Sequence, residues 1–203
     1  MLSERTTRKL GAIAEVSAKE QRIKDLSSLM NHPDLWMLAY TNIQGNTGAL
    51  TPGTDNVTID GFTPERAQNL IDLIREKRYW PKPVRRAYIP KGNSGKLRPL
   101  GLPSGDDKLV QEVARILLER IYEPIFKNSS HGFRPKKSCH TALQAIKNSW
   151  TGIKWIVEVD IKGFFDNINH DVLMMLLERR IDDRRFLRLW IALQSTRGHY
   201  FRG

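Results

Sequence analysis

The 203-residue chain holds one cysteine, Cys139. A lone thiol closes no intramolecular disulfide, which excludes a secreted fold built on disulfide bridges. No apolar run approaches the ~18 residues that a membrane-crossing helix needs, so no membrane-spanning segment is expected. The N-terminus has neither a secretory apolar core nor an acid-free transit pattern, because Glu4 and Glu15 interrupt its basic residues. These absences together predict an intracellular protein. Also missing are a Walker-type phosphate loop, a dinucleotide glycine fingerprint and a Ser-His-Asp set. His131, His140 and His170 with Cys139 do not reproduce a zinc-ligand spacing. With 203 residues and 40% hydrophobic content, the chain is long enough to bury a core without such staples.

Acids are scarce as well: 22 Asp and Glu face 33 Lys and Arg, a formal charge of +11. Such a balance favours a polyanionic partner, either nucleic acid or an anionic membrane surface. The charge is concentrated. Between Arg75 and Arg98 lie Arg75, Lys77, Arg78, Lys82, Arg85, Arg86, Lys91, Lys96 and Arg98, opposed only by Glu76, so this stretch carries +8. Tyr79, Trp80 and Tyr88 interleave with these cations, a composition suited to phosphates beside flat bases. Pro81, Pro83, Pro90 and Pro99 prevent a continuous basic helix lying in a headgroup layer. Nucleic acid is therefore the better-matched partner.

Leu10, Ile13, Val16, Ile23, Leu26, Leu29 and Met30 recur at helical spacing and predict one or two amphipathic helices over residues 1–30. Pro33 opens another, through about Ile43, with Leu35, Trp36, Leu38 and Ala39 as its apolar side. Residues 44–61, rich in Gly, Asn, Thr and Asp, read as a loop able to order on a ligand. Thr63 then caps a helix with Pro64 at its first position, Glu65 in its first turn, and Leu70, Leu73 and Ile74 facing inward. Val84–Ile89 and Leu97–Leu102 have strand composition around a turn segment, Pro90–Lys96, which predicts a hairpin with lysines at its tip.

Ser104 with Asp107 reads as a capping-box-like start to a long helix through about Phe126, whose stripe is Leu109, Val113, Ile116, Leu117 and Ile121. A loop from Asn128 to Pro135 leads to a helix from Ser138 to about Trp150. Trp155–Asp160 is predicted as a strand, followed by helices near 170–180 and 183–195. Asp166 and Asn169 read as turn and N-cap residues between them. The mixture predicts an α+β fold rather than regular βαβ alternation.

The most informative run is Lys154 to Asp166. In a strand, Ile156, Glu158 and Asp160 share one face, so an acid stands where an apolar strand ends, beside Gly163. Two readings stand for Asp160. It caps the turn into the next helix while Phe164 and Phe165 pack the core, or it is one of the carboxylates that hold Mg²⁺ for phosphoryl transfer to a hydroxyl.

Four ordered blocks bear on that choice. They are Arg85-Arg86-Ala87-Tyr88-Ile89-Pro90-Lys91; Lys96-Leu97-Arg98-Pro99-Leu100-Gly101-Leu102-Pro103 running into Asp107-Lys108 and Gln111; Ser130-His131-Gly132-Phe133-Arg134-Pro135; and Asp160-Ile161-Lys162-Gly163-Phe164-Phe165-Asp166-Asn167-Ile168. Together they resemble the N-terminal half of the reverse transcriptases encoded by group II introns, the intron maturase family. The resemblance covers about residues 84–171, and Thr51-Pro52-Gly53-Thr54-Asp55 resembles part of the family's N-terminal extension. It implies reverse-transcriptase-like fingers, an incomplete palm and an N-terminal helical extension. The corresponding division is residues 1–62 for the extension and loop, 63–153 for the fingers and 154–203 for the start of the palm.

The resemblance also implies roles. Asp160 would be the first metal-binding aspartate, with the Ile161 carbonyl as a further Mg²⁺ ligand. Lys91 and Arg98 would hold the triphosphate, and Ile161, Phe164 and Phe165 would line the nucleotide site, with the Phe165 ring excluding a ribose 2′-hydroxyl. Gly132 to Pro135 would shape the floor near template and nucleotide. Lys77, Arg78, Arg85, Arg86 and Arg134 would contact RNA phosphates. The expected partners are group II intron RNA, and an RNA template with DNA primer and dNTPs, in a bacterial cytoplasm or an organelle.

The family's other catalytic acids lie in a Tyr-Ala-Asp-Asp type turn downstream, and this sequence holds no such turn. Tyr200-Phe201-Arg202-Gly203 reads as the start of a strand or hairpin. Residues 1–203 alone are therefore expected to lack polymerase activity. The chain is then part of an enzyme whose C-terminal half lies elsewhere, or a shortened maturase that binds RNA without copying it.

Overall fold

Ser3 accepts a hydrogen bond on its hydroxyl from the Thr6 amide at 3.2 Å, starting α1, Glu4–Ala18. In the computed structural model, which describes residues 2–92, 95–164 and 167–195, a short α2 (Leu26–Leu29) and α3 (Pro33–Ile43) follow. Pro33 stands at the first turn of α3, where its missing amide hydrogen is no loss. Thr63 caps α4, Pro64–Arg75, by accepting from the Arg66 amide at 3.2 Å.

Strands β1 (Arg85–Pro90) and β2 (Leu97–Leu102) pair antiparallel as a two-stranded sheet. Then come α5 (Gly105–Tyr122), a 3₁₀ turn (Glu123–Ile125), and α6 (Cys139–Ser149), whose Ser138 and Thr141 cap each other reciprocally. Finally α7 spans His170–Glu178, with Asn169 as its N-cap, and α8 spans Arg184–Ser195.

Helix α5 is the centre of the molecule. Its Leu109, Val113, Ile116, Leu117 and Ile121 are all buried, and α1 and α3 pack along it. Trp36 of α3 is fully buried and donates its indole N–H to the Met30 carbonyl at 2.7 Å, so its polar edge is satisfied inside the core. Each such large side chain contributes about 1.5–3 kcal/mol by leaving water. The N-terminal helices and the C-terminal ones share this core. A parallel bridge joins Ile23 to Ile181, with the Ile23 amide on the Arg180 carbonyl and the Asp182 amide on the Ile23 carbonyl, both at 2.7 Å.

Two expectations are corrected. Trp155–Asp160 forms no strand among the described residues. Strand composition is realised only when a neighbour supplies the ladder, and here Trp155, Ile156, Val157 and Val159 stand largely in solvent. Ser104 does not cap α5 with its side chain; its hydroxyl donates to Asp55 at 2.7 Å, because a loop carboxylate lies within reach. The 44–61 loop is tied to the rest of the protein by hydrogen bonds. Lys108 Nζ donates to the Gly48 carbonyl at 2.8 Å, and Arg66 donates to the Thr58 carbonyl and to Asp106 at 2.8 Å each. The expectations placed on Phe165, on Asp166 and on Tyr200–Gly203 fall outside the described residues.

Candidate functional site

In a two-stranded ladder, residues directly opposite share a face. The β1–β2 register pairs Arg85 with Leu102, Ala87 with Leu100 and Ile89 with Arg98. The Lys91 amide then donates to the Lys96 carbonyl at 2.8 Å, extending the pairing one step toward the tip. One face therefore carries Arg85, Lys91, Lys96 and Arg98, while Arg86, Tyr88 and Leu97 belong to the other. Lys91 and Arg98, on opposite strands, stand on one surface near the hairpin tip.

The base of this hairpin is fixed by α5 and the 44–61 loop. Asp107, in the first turn of α5, accepts the Tyr79 hydroxyl and, at 2.9 Å, the Lys82 amide. Burial raises the Asp107 carboxyl above its ordinary range, against the opposing effect of those two hydrogen bonds. Burial and the neighbouring carboxylate raise the Tyr79 phenol as well, so it remains a donor. Thr54 donates to the Pro83 carbonyl at 3.0 Å, and Arg85 donates to the Pro52 carbonyl at 3.1 Å. Burial, and then Arg85, lower the Lys108 ammonium, whose partners here are the loop carbonyls. The hairpin thus projects from a hydrogen-bonded base with both faces largely exposed, one of them carrying Arg85, Lys91, Lys96 and Arg98.

The remaining expected site residues lie on separate segments. Lys77 is exposed in a left-handed conformation, φ 60°, immediately after α4, and Arg78 pairs with Glu76 at 3.0 Å in solvent. Arg134 is turned inward: its guanidinium forms a fork on Glu123 at 2.8–3.2 Å and donates to the Lys127 and Ser130 carbonyls at 2.8 and 2.9 Å. It also lies over the Phe126 ring at 5.2 Å. Those bonds hold the loop in which Phe133 is fully exposed.

Asp160, Ile161 and Phe164 are exposed on the segment between α6 and α7. Gly163 there adopts φ 62°, and the Asn167 side-chain amide donates to its carbonyl at 2.8 Å. Phe165 lies outside the described residues. Among the described residues, no three His, Cys, Asp or Glu side chains converge to hold a metal ion. A two-ion phosphoryl-transfer site needs bridging carboxylates, and Asp160 with the Ile161 carbonyl supplies too few donors for it. The sequence pattern did not single out Asp107 as the post of the hairpin base, because its partners lie 25 and 28 residues earlier. The only local signal was a second acid in the first turn of α5.

Residues 89–202 match the family described as reverse transcriptase (RNA-dependent DNA polymerase). The chain is similar to the group II intron-encoded protein LtrA of Lactococcus lactis subsp. cremoris, 50% identical over 157 residues, covering 77% of this chain and 26% of that protein. It is 44% identical over 156 residues to an uncharacterized 91 kDa protein in the cob intron of Schizosaccharomyces pombe, covering 77% and 19%. A putative COX1/OXI3 intron 1 protein of Saccharomyces cerevisiae is 38% identical over 171 residues, covering 84% and 20%. The chain thus spans about a quarter or less of the length of these curated relatives. No described helix is long and apolar enough to cross a membrane.

Proposed function

The chain belongs to the reverse transcriptase/maturase family encoded by group II introns, and on that premise we propose that it binds intron RNA and contributes the nucleotide-holding fingers of an RNA-directed DNA polymerase. The observation that carries this reading is the hairpin register, which sets Lys91 and Arg98 on one exposed face above a fixed base. A compact ammonium and a planar guanidinium on one surface suit the oxygens of a triphosphate and offset the charge that develops as it is cleaved. Phe164 and Phe165 would border the sugar. Arg85, Arg86, Lys77 and Arg78 would meet RNA phosphates, and Arg134 would act by holding the Phe133 loop.

Asp160 and the Ile161 carbonyl are proposed as part of a Mg²⁺ donor set whose other carboxylates lie outside these 203 residues. Bound there, Mg²⁺ would activate the primer hydroxyl and neutralise phosphate charge. Because the sequence holds no Tyr-Ala-Asp-Asp turn to supply the further carboxylates, residues 1–203 alone are proposed to be inactive as a polymerase. The same shortage favours a second reading, an RNA-binding maturase that assists splicing without copying.

Two assays on purified 1–203 test these readings. Filter binding to a group II intron RNA is expected to show affinity that falls steeply with salt, and absence of binding overturns the RNA-handling role. Primer extension on an RNA template with Mg²⁺ and dNTPs is expected to give no product. Extension that Asp160→Ala abolishes would overturn the proposed inactivity.

A further inference from the structure

The end of α4 with the chain following it, α2 with its flanking residues, and α8 enclose a groove of about 910 Å³. Its floor is apolar, with Met30, Phe186 and Leu189 all buried. Its rim carries Arg75, Lys77, Trp80, Arg184, Arg185 and Arg188. Among the described residues, Lys77, Arg184, Arg185 and Arg188 enter no ion pair, and all are exposed. Three acids line the groove: Asp25 is exposed and makes no side-chain cap bond, and the other two are engaged elsewhere. Asp183 accepts the amides of Ser27, Arg185 and Phe186 at 2.7, 2.9 and 3.1 Å, and Asp182 pairs with Arg22 at 3.3 Å. Trp80 is 65% exposed although it lines this cavity, so a large flat ring stands open to a ligand.

We propose that this groove is a second nucleic-acid site, which takes a single-stranded stretch of RNA with its phosphates on the α8 arginines and a base stacked on Trp80. The inference deepens the RNA-handling reading above and rests on it. Cations spaced along a trough with one exposed indole match the way backbone charge and base faces are held without sequence preference. A folded duplex presents no free base face to Trp80, which is why an unpaired segment fits better. An acidic protein segment would satisfy the arginines but leave the indole without a planar partner. The site escaped the sequence pattern because its two halves, Arg75 to Trp80 and Arg184 to Arg188, are about a hundred residues apart and come together in the fold.

The test uses residues 1–203 and a fluorescent twelve-nucleotide uridine RNA, followed by anisotropy across a salt series. The variants are Trp80→Ala, the triple Arg184→Gln, Arg185→Gln and Arg188→Gln, and a charge-matched control, Lys127→Gln, Lys147→Gln and Lys154→Gln. The replaced side chains are exposed, and circular dichroism of each variant confirms the fold. Trp80→Ala is expected to weaken binding roughly tenfold, as removal of one stacked base does. The arginine triple is expected to weaken it at least as much and to flatten the salt slope by about two, since each phosphate neutralised on a single strand adds roughly 0.7 to that slope. The control is expected to stay within about twofold of wild type. If wild type binds and both groove variants match it, the groove proposal is overturned while the RNA reading stands. If wild type does not bind at all, both fail. If polyglutamate of equal charge displaces the RNA as well as unlabelled uridine RNA does, the groove is a site for an acidic protein and the RNA assignment is overturned.

Discussion

Tyr79 donates its hydroxyl to Asp107, and this bond joins the chain that enters the hairpin to the first turn of the central helix α5. The same carboxylate takes the Lys82 amide at 2.9 Å, so one buried acid sets both ends of the Tyr79–Lys82 linker. Direction of the hairpin face is therefore decided in the core rather than at the tip.

Tyr79→Phe keeps the ring and removes the donor, leaving a buried carboxylate with one bond fewer. A destabilisation of about 1–3 kcal/mol is expected, the usual penalty for an unsatisfied buried polar group, read by urea denaturation. The pH dependence has a definite sign. Burial raises Asp107 in the folded state, so the stability tied to its protonated form is full below its ordinary value of 3.8 and declines as pH rises through the folded value. Asp107→Asn has no such decline. Its melting temperature relative to wild type is expected to climb as pH rises above 3.8, and a constant difference would contradict the burial assignment.

Gly105→Ala tests how closely the 44–61 loop lies on α5. At an open helix position this change adds about 0.5–1 kcal/mol of stability by helix propensity. Here an added Cβ would stand 2.2 Å from the Thr58 carbonyl oxygen, with no flexible side-chain end to yield. Overpacking of about 1–3 kcal/mol should win, and denaturation is expected to show net destabilisation.

The Arg134 fork leads to a local prediction. Arg134→Lys keeps the charge but cannot span Glu123, Lys127 and Ser130 with one ammonium. Hydrogen exchange over residues 127–138 is expected to quicken while that of α5 is unchanged. The hydrogen bonds from Arg134 lower the Glu123 carboxyl, so this interaction's contribution is present above the ordinary value of 4.5 and disappears as pH falls through the depressed value. Exchange of wild type should therefore converge on that of the variant in acid.

Local signals were readable where one segment decides its own structure. Thr63 before Pro64, Ser138 with Thr141, and Pro33 at the opening of α3 are satisfied within a few residues, and each marks its helix boundary in the chain. The periodic stripe of α5 was readable for the same reason. Ser104 misled because a capping residue and a loop anchor look alike in sequence, and Asp55, 49 residues away, settles the matter. Trp155–Asp160 misled in a different manner: apolar β-branched residues state a preference for pairing, but the partner strand is not in the segment that states it. For the site, Lys91 and Arg98 were named by the family resemblance, and their common face follows from the strand register. The α8 arginines carried no local mark at all.

The hairpin face carries the most direct functional prediction. Lys91→Ala and Arg98→Ala, each introduced into a chimera that sets residues 1–203 in the matching part of a complete group II intron reverse transcriptase, remove one cation from the surface shared with Arg85 and Lys96. If that surface holds a triphosphate, each change should raise KM for dNTP about tenfold or more. Removing one charge-assisted hydrogen bond of about 1.5–3 kcal/mol corresponds to that range. Binding of intron RNA, measured by filter retention, should change far less, because many phosphates share the remaining cations. Equal effects on KM and RNA affinity would make the face a backbone-binding surface instead. Arg85→Ala separates the two further: its guanidinium is tied to the Pro52 carbonyl, so its removal should loosen the 44–61 loop to proteolysis as well as weaken RNA binding, with the dNTP KM changing less than for Arg98→Ala.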